Sequence, residues 1–136
     1  MNHNTTIIYQ HVLDLGILIS GGYNRQSVEV YIPASNTTCS LSKLPEARYY
    51  HTQDGGLACG GDGGSSNTET TCVKWSSDSG SWSQSHTLRQ ERNYHLSWAT
   101  EDGVYLMGGE GSTKTTELVK EDGSVEDGFS LKYDTW

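Results

Sequence analysis

Three Gly-Gly pairs, each closing a short apolar run, constrain this chain more than any other feature. They are Ile17-Leu18-Ile19-Ser20-Gly21-Gly22, Leu57-Ala58-Cys59-Gly60-Gly61 and Val104-Tyr105-Leu106-Met107-Gly108-Gly109. An acidic residue and a Gly precede each run, at Asp14-Leu15-Gly16, Asp54-Gly55 and Asp102-Gly103. Glycine supplies the positive φ that a tight hairpin needs, and it lets a neighbouring backbone come close at a strand end. After each pair come a polar loop and a β-prone run: Ser27–Tyr31, Thr71–Trp75 and Thr116–Val119. Before two of the pairs stands the same tetrad, Arg48-Tyr49-Tyr50-His51 and Arg92-Asn93-Tyr94-His95. A buried Arg or His at such a point must hydrogen-bond across strands, because an unpaired buried polar group is costly.

This repeat predicts twelve strands in three groups of four. The first group is 7–9, 17–19, 28–32 and 39–44; the second is 50–53, 57–59, 72–75 and 82–88; the third is 95–100, 104–107, 117–120 and 129–133. Connections fall at Leu44–Ala47 and Leu88–Glu91. No stretch has a helical period, and no linker divides the 136 residues, so the chain reads as one all-β domain, 1–136. Composition agrees: 16 Gly, 8 Tyr and 4 Trp with only 33% hydrophobic residues suit short, half-buried strands and many turns.

The pattern resembles the kelch-repeat and galactose-oxidase-type β-propellers. A diglycine, a β-strand carrying an aromatic, a Trp and then an Arg and His leading to the next diglycine are matched by Gly60-Gly61, Trp75, Trp82, Arg92, His95 and Gly108-Gly109. In the first repeat Gly21, Gly22, Tyr31, Arg48 and His51 match, and Cys39 stands near the Trp position; the third repeat has neither aromatic clearly in place. The resemblance implies three four-stranded antiparallel blades, about 5–46, 47–90 and 91–134. Propellers close with about 4 to 8 blades. Three blades therefore imply further blades, from the same longer chain or from a second copy; an open, aggregation-prone stack is the third reading. The end at Tyr133-Asp134-Thr135-Trp136 reads as the start of a fourth blade.

For function, the resemblance implies a non-enzymatic scaffold that binds a protein or glycan through the loops after the diglycines. These loops are 23–26, 62–70 and 110–115, and their candidate contacts are Tyr23, Asn24, Arg25, Asn67, Glu69 and Lys114. His51 and His95 hold equivalent repeat positions, which reads as structural, since a catalytic centre draws different residues from different blades. Two alternatives stand: a fragment of a catalytic propeller (an oxidase or carbohydrate-active enzyme) and an inactive gene fragment. Cys59, Tyr105 and His95 have the residue types of a copper-oxidase centre, but their spacing marks none, so no cofactor and no metal are expected. The acidic pairs Glu101-Asp102 and Glu121-Asp122 precede Gly and read as turns.

The net charge of −8 and pI near 4.9 disfavour nucleic acid and anionic membranes. No apolar stretch reaches the roughly 20 residues of a membrane span. The three cysteines fit no zinc spacing. Cys59 and Cys72 bound one hairpin, so a Cys59–Cys72 disulfide is expected, with Cys39 left for a partner outside the chain; Cys39–Cys59 is the rival, and three buried thiols the other reading. A disulfide, together with the sequons Asn4-Thr5-Thr6 and Asn36-Thr37-Thr38, points outside the cell; the absence of a secretory leader in Met1–Gln10 points inside.

Overall fold

The computed structural model describes residues 4–8 (backbone only), 16–63, 69–110 and 113–135. Twelve strands run in chain order: β1 Asn4–Ile8, β2 Gly16–Ser20, β3 Val28–Ile32, β4 Thr37–Leu41, β5 Thr52–Asp54, β6 Leu57–Cys59, β7 Thr71–Ser76, β8 Ser81–Thr87, β9 Leu96–Thr100, β10 Gly103–Met107, β11 Thr116–Val119 and β12 Val125–Asp127. Each consecutive four form one antiparallel meander, giving sheets β1-β2-β3-β4, β5-β6-β7-β8 and β9-β10-β11-β12. Among the described residues there is no helix, and so none long and apolar enough to cross a membrane. The sheets touch through their first strands, β1 against β5 and β5 against β9.

One predicted strand is displaced altogether, and others shift by a few residues at an end, the first from 7–9 to Asn4–Ile8. The last strand is Val125–Asp127, not 129–133. Asp122 accepts hydrogen bonds from the Ser124 amide and hydroxyl, and Gly123 takes φ 92°, so the chain reverses at 120–124 and pairing resumes at once with Val119↔Val125. The Phe129 segment is instead the connection out of the sheet. Likewise β4 begins at Thr37, two residues ahead of its prediction, because Asn36 takes φ 51° and closes a tight turn.

Apolar alternation along the strands makes two cores, one in each gap between sheets. Leu18, Val28, Val30 and Leu44 of the first sheet and its connection meet Ala58, Val73 and Trp82 of the second, with Trp75 against the edge. On the opposite face of the second sheet, Cys59, Cys72 and Leu88 meet Leu106 and Val119 of the third. Cys72 and Val73 are successive on β7 and therefore serve opposite cores. Trp82 packs on Trp75 with ring centroids 5.6 Å apart, and its indole N–H donates to the Ser42 carbonyl across the gap (3.1 Å).

Cys59 and Cys72 are directly opposed across β6 and β7 and form a disulfide. Of the three readings left open by the sequence, this removes Cys39–Cys59 and the three buried thiols; Cys39 is free and exposed.

Candidate functional site

The Arg-x-Tyr-His segments are the links between sheets, and they place the loops at one rim. Arg48 is 1% exposed and works in both directions. Its carbonyl accepts from the Gly22 amide of the first sheet (2.8 Å), while its guanidinium donates to the Gly60 and Thr71 carbonyls (2.9 and 2.8 Å) and the Thr71 hydroxyl (2.5 Å) of the second. Arg92 repeats this one sheet on. Its carbonyl accepts from Gly61 (2.7 Å), and its guanidinium donates to the Gly108 and Thr115 carbonyls (2.8 and 3.0 Å) and the Thr115 hydroxyl (2.7 Å). Glycine is required here: a Cβ on Gly60 (φ 63°) would drive into the Arg92 carbonyl and lie 2.8 Å from the His95 ring.

The two links differ in charge. Arg92 Nε donates to Glu117, 2% exposed, at 2.7 Å, and Glu117 also accepts from the Arg89 amide. Val73 occupies the corresponding position on β7, so Arg48 rests on carbonyls and the Thr71 hydroxyl, with the exposed Glu46 carboxylate 4.0 Å away, and its Nε has no partner among the described residues. Burial lowers the Arg48 pKa, against the opposing pull of Glu69 and Glu46.

His51 and His95 are buried beside these arginines. His51 Nε2 bonds the Ser20 hydroxyl (3.1 Å), which also donates to Gln53. The residue matching Ser20 in the second sheet is Cys59, already tied to Cys72. His95 therefore bonds Thr52 (2.8 Å), the cross-strand neighbour of Cys59. Burial, then the adjacent Arg48 cation, depresses His51 to about 3; burial, then Arg92, does the same to His95, also to about 3. Both are neutral at physiological pH.

The loops after the diglycines rise at this rim. Tyr23 is 59% exposed, and Asn24 (φ 52°), Arg25 and Lys114 are exposed. Lys114 lies 3.7 Å from Asp134, both at the surface. Glu69 is partly buried; burial raises its pKa, and it shares a hydrogen bond with Glu46. Asn67 lies outside the described residues. Cys59 and His95 are engaged as above, and Tyr105 lies on Phe129 (5.6 Å) on the third sheet.

The sequence did not flag Thr71 and Thr115 as the arginine acceptors, although each stands 23 residues after its Arg. It also missed Thr135, whose carbonyl accepts from Gly109 (3.1 Å) as Arg48 and Arg92 accept from Gly22 and Gly61, and so takes the place of a third arginine. The spacing of the Leu residues marks that position: Leu44, Leu88 and Leu131 each stand four residues before it, and their amides donate to the carbonyls of Gln26, Thr70 and Lys114, each the residue just ahead of Ser27, Thr71 and Thr115.

These features define an all-β, propeller-like stack of three antiparallel sheets whose described residues do not close a ring. Among solved structures the fold is shared with that of YjhT, at 12% sequence identity and a TM-score of 0.80, over 98% of this chain and 53% of that one. The chain thus spans about half the length of YjhT. No family model and no curated protein matches it.

Proposed function

We propose that the chain is a segment of a kelch-type β-propeller and acts as a non-enzymatic recognition scaffold, binding a protein or glycan through the Gly-Gly rim. The observation that carries this reading is the division of labour between interior and rim. Arg48, His51, Arg92 and His95 are spent on holding sheets together, while Tyr23, Asn24, Arg25 and Lys114 stand in solvent on that fixed base. Adaptable polar and aromatic groups on a rigid frame suit recognition.

The same reading gives the third sheet a neighbour. Its outward side exposes Leu96 (63%), Trp98 (64%), Phe129 (50%) and Tyr133 (70%). At the other end Glu29 is exposed at the repeat position where Glu117 is buried against Arg92. A further sheet, from the same longer chain or a second copy, covers such a face with the packing already seen between sheets. The disulfide favours an oxidising compartment, hence an extracellular setting.

Two measurements test this. Replacing Tyr23, Arg25 and Lys114 by Ser and Asn24 by Gly, which keeps its left-handed backbone (φ 52°) unstrained, should remove binding on peptide and glycan arrays with thermal unfolding unchanged. Copper-dependent oxygen uptake or glycoside hydrolysis by the purified protein would instead establish the catalytic reading. Sedimentation of the 14.9 kDa chain reports on a second copy, and Trp98→Lys should abolish any dimer.

A further inference from the structure

Four tyrosines form one continuous band on the Gly-Gly rim. Tyr23 packs edge-on to Tyr49 (centroids 5.2 Å), Tyr49 tilts onto Tyr50 (4.7 Å), and Tyr50 stacks on Tyr94 (3.8 Å, planes 25° apart). The band crosses from the first sheet's loop to the head of β9, so it spans all three sheets. Tyr50 and Tyr94 both take φ 56°, a left-handed conformation uncommon for aromatic residues, and the Tyr94 amide donates to the Tyr50 carbonyl (3.1 Å). This unfavourable backbone holds two rings up at the rim instead of folding them into the cores. Tyr23 and Tyr94 remain 59% and 45% exposed at the band's two ends.

Carboxylates border the band. Asp62 and Glu110 pair through their backbones with Tyr49 and Asn93, which places them beside the rings. The Tyr49 hydroxyl donates to Asp62, which raises its pKa; Tyr94 is pushed up to about 12 by its hydrogen bond with Tyr50, then by burial, with Glu110 adding to it. Glu69 and Glu46 lie on the same side, around Arg48. Aromatic faces carry negative quadrupoles, and a cation over them gains further where carboxylates stand alongside.

We propose that this tyrosine band is a docking surface for a basic peptide, taking arginine or lysine side chains over Tyr23 and Tyr94 with Asp62 and Glu110 as counter-charges. The proposal rests on the scaffold reading and gives it a partner chemistry. A glycan would use the same rings but would not need the carboxylates as charges.

The test is fluorescence anisotropy of a labelled, end-blocked hexa-arginine peptide against the intact chain, at low and physiological salt. Tyr23→Ser with Tyr94→Asn, where Asn tolerates the left-handed backbone, should weaken binding at least tenfold with unfolding unchanged. Asp62→Asn with Glu110→Gln should weaken it several-fold and flatten its salt dependence. Glu101→Gln with Glu121→Gln removes the same charge from the opposite rim and should change little. Equal effects from the two acidic pairs, or no effect of the tyrosine pair, would show binding to net charge alone and overturn the proposal. Binding of neutral oligosaccharides, lost in the tyrosine variant with no peptide binding, would also overturn it while leaving the scaffold reading standing.

Discussion

Acidification should destabilise the protein through His51 and His95 before its carboxylates matter. Both histidines are neutral in the fold, with values near 3 against about 6.5 in an unfolded chain. A base whose folded pKa is depressed contributes fully above the unfolded value, and that contribution is lost as pH falls towards the folded value. Between about pH 7.5 and about pH 5 the unfolded chain gains close to one proton per histidine that the fold refuses, costing about 2 kcal/mol each and about 4 for the pair. The size is set by the unfolded pKa, because the folded value lies far below the end of the window. Glu69, with its raised pKa, acts in the opposite sense; Asp122, with its lowered pKa, titrates below the window. With a urea slope near 2 kcal/mol per molar, the midpoint should fall by about 2 M. Urea titrations followed by tryptophan fluorescence at several pH values would measure this. The variant His51→Gln with His95→Gln should be less stable at neutral pH and nearly flat across the window. A flat wild-type profile, or an equally steep double variant, would show that these two histidines do not set the acid sensitivity.

The other predictions concern the links between sheets. Gly60→Ala should cost about 2–5 kcal/mol by chemical denaturation, combining left-handed strain with the clash against Arg92 and His95; Gly80→Ala has similar φ (61°) with open space around it and should cost only about 1 kcal/mol. Glu117→Val strands the buried Arg92 and the Arg89 amide and should cost about 3–5 kcal/mol, measured as a shift in urea midpoint. Cys59→Ser with Cys72→Ser opens a cross-link of sequence separation 13 and should cost about 3 kcal/mol, with alkylation and mass spectrometry confirming one free thiol in the unreduced wild type.

The strand plan was legible because diglycines, acidic turns and period-2 runs recur together, so each repeat corrected the reading of the others. The disulfide followed from opposed positions on one hairpin. The last strand was misplaced because Phe129 and Tyr133 are β-prone by type, whereas the Asp122–Ser124 turn fixed where pairing resumed. The tyrosine band lay hidden for a different reason. Tyr50 and Tyr94 were visible as repeat marks, but their stacking depends on a left-handed backbone that residue type disfavours, and Tyr23 and Tyr49 join them only when the first two sheets pack. The charge asymmetry between Arg92 and Arg48 was equally out of reach, since it needs the strand register that sets Glu117 and Val73 in equivalent places.

The direct test of the inter-sheet links is the through-hydrogen-bond coupling between amide nitrogen and carbonyl carbon in isotope-labelled protein. Couplings from Gly22 to Arg48 and from Gly61 to Arg92, with slow exchange of both glycine amides, are the predicted result. Rapid exchange of these amides with no such coupling would show that the arginine carbonyls do not join the sheets.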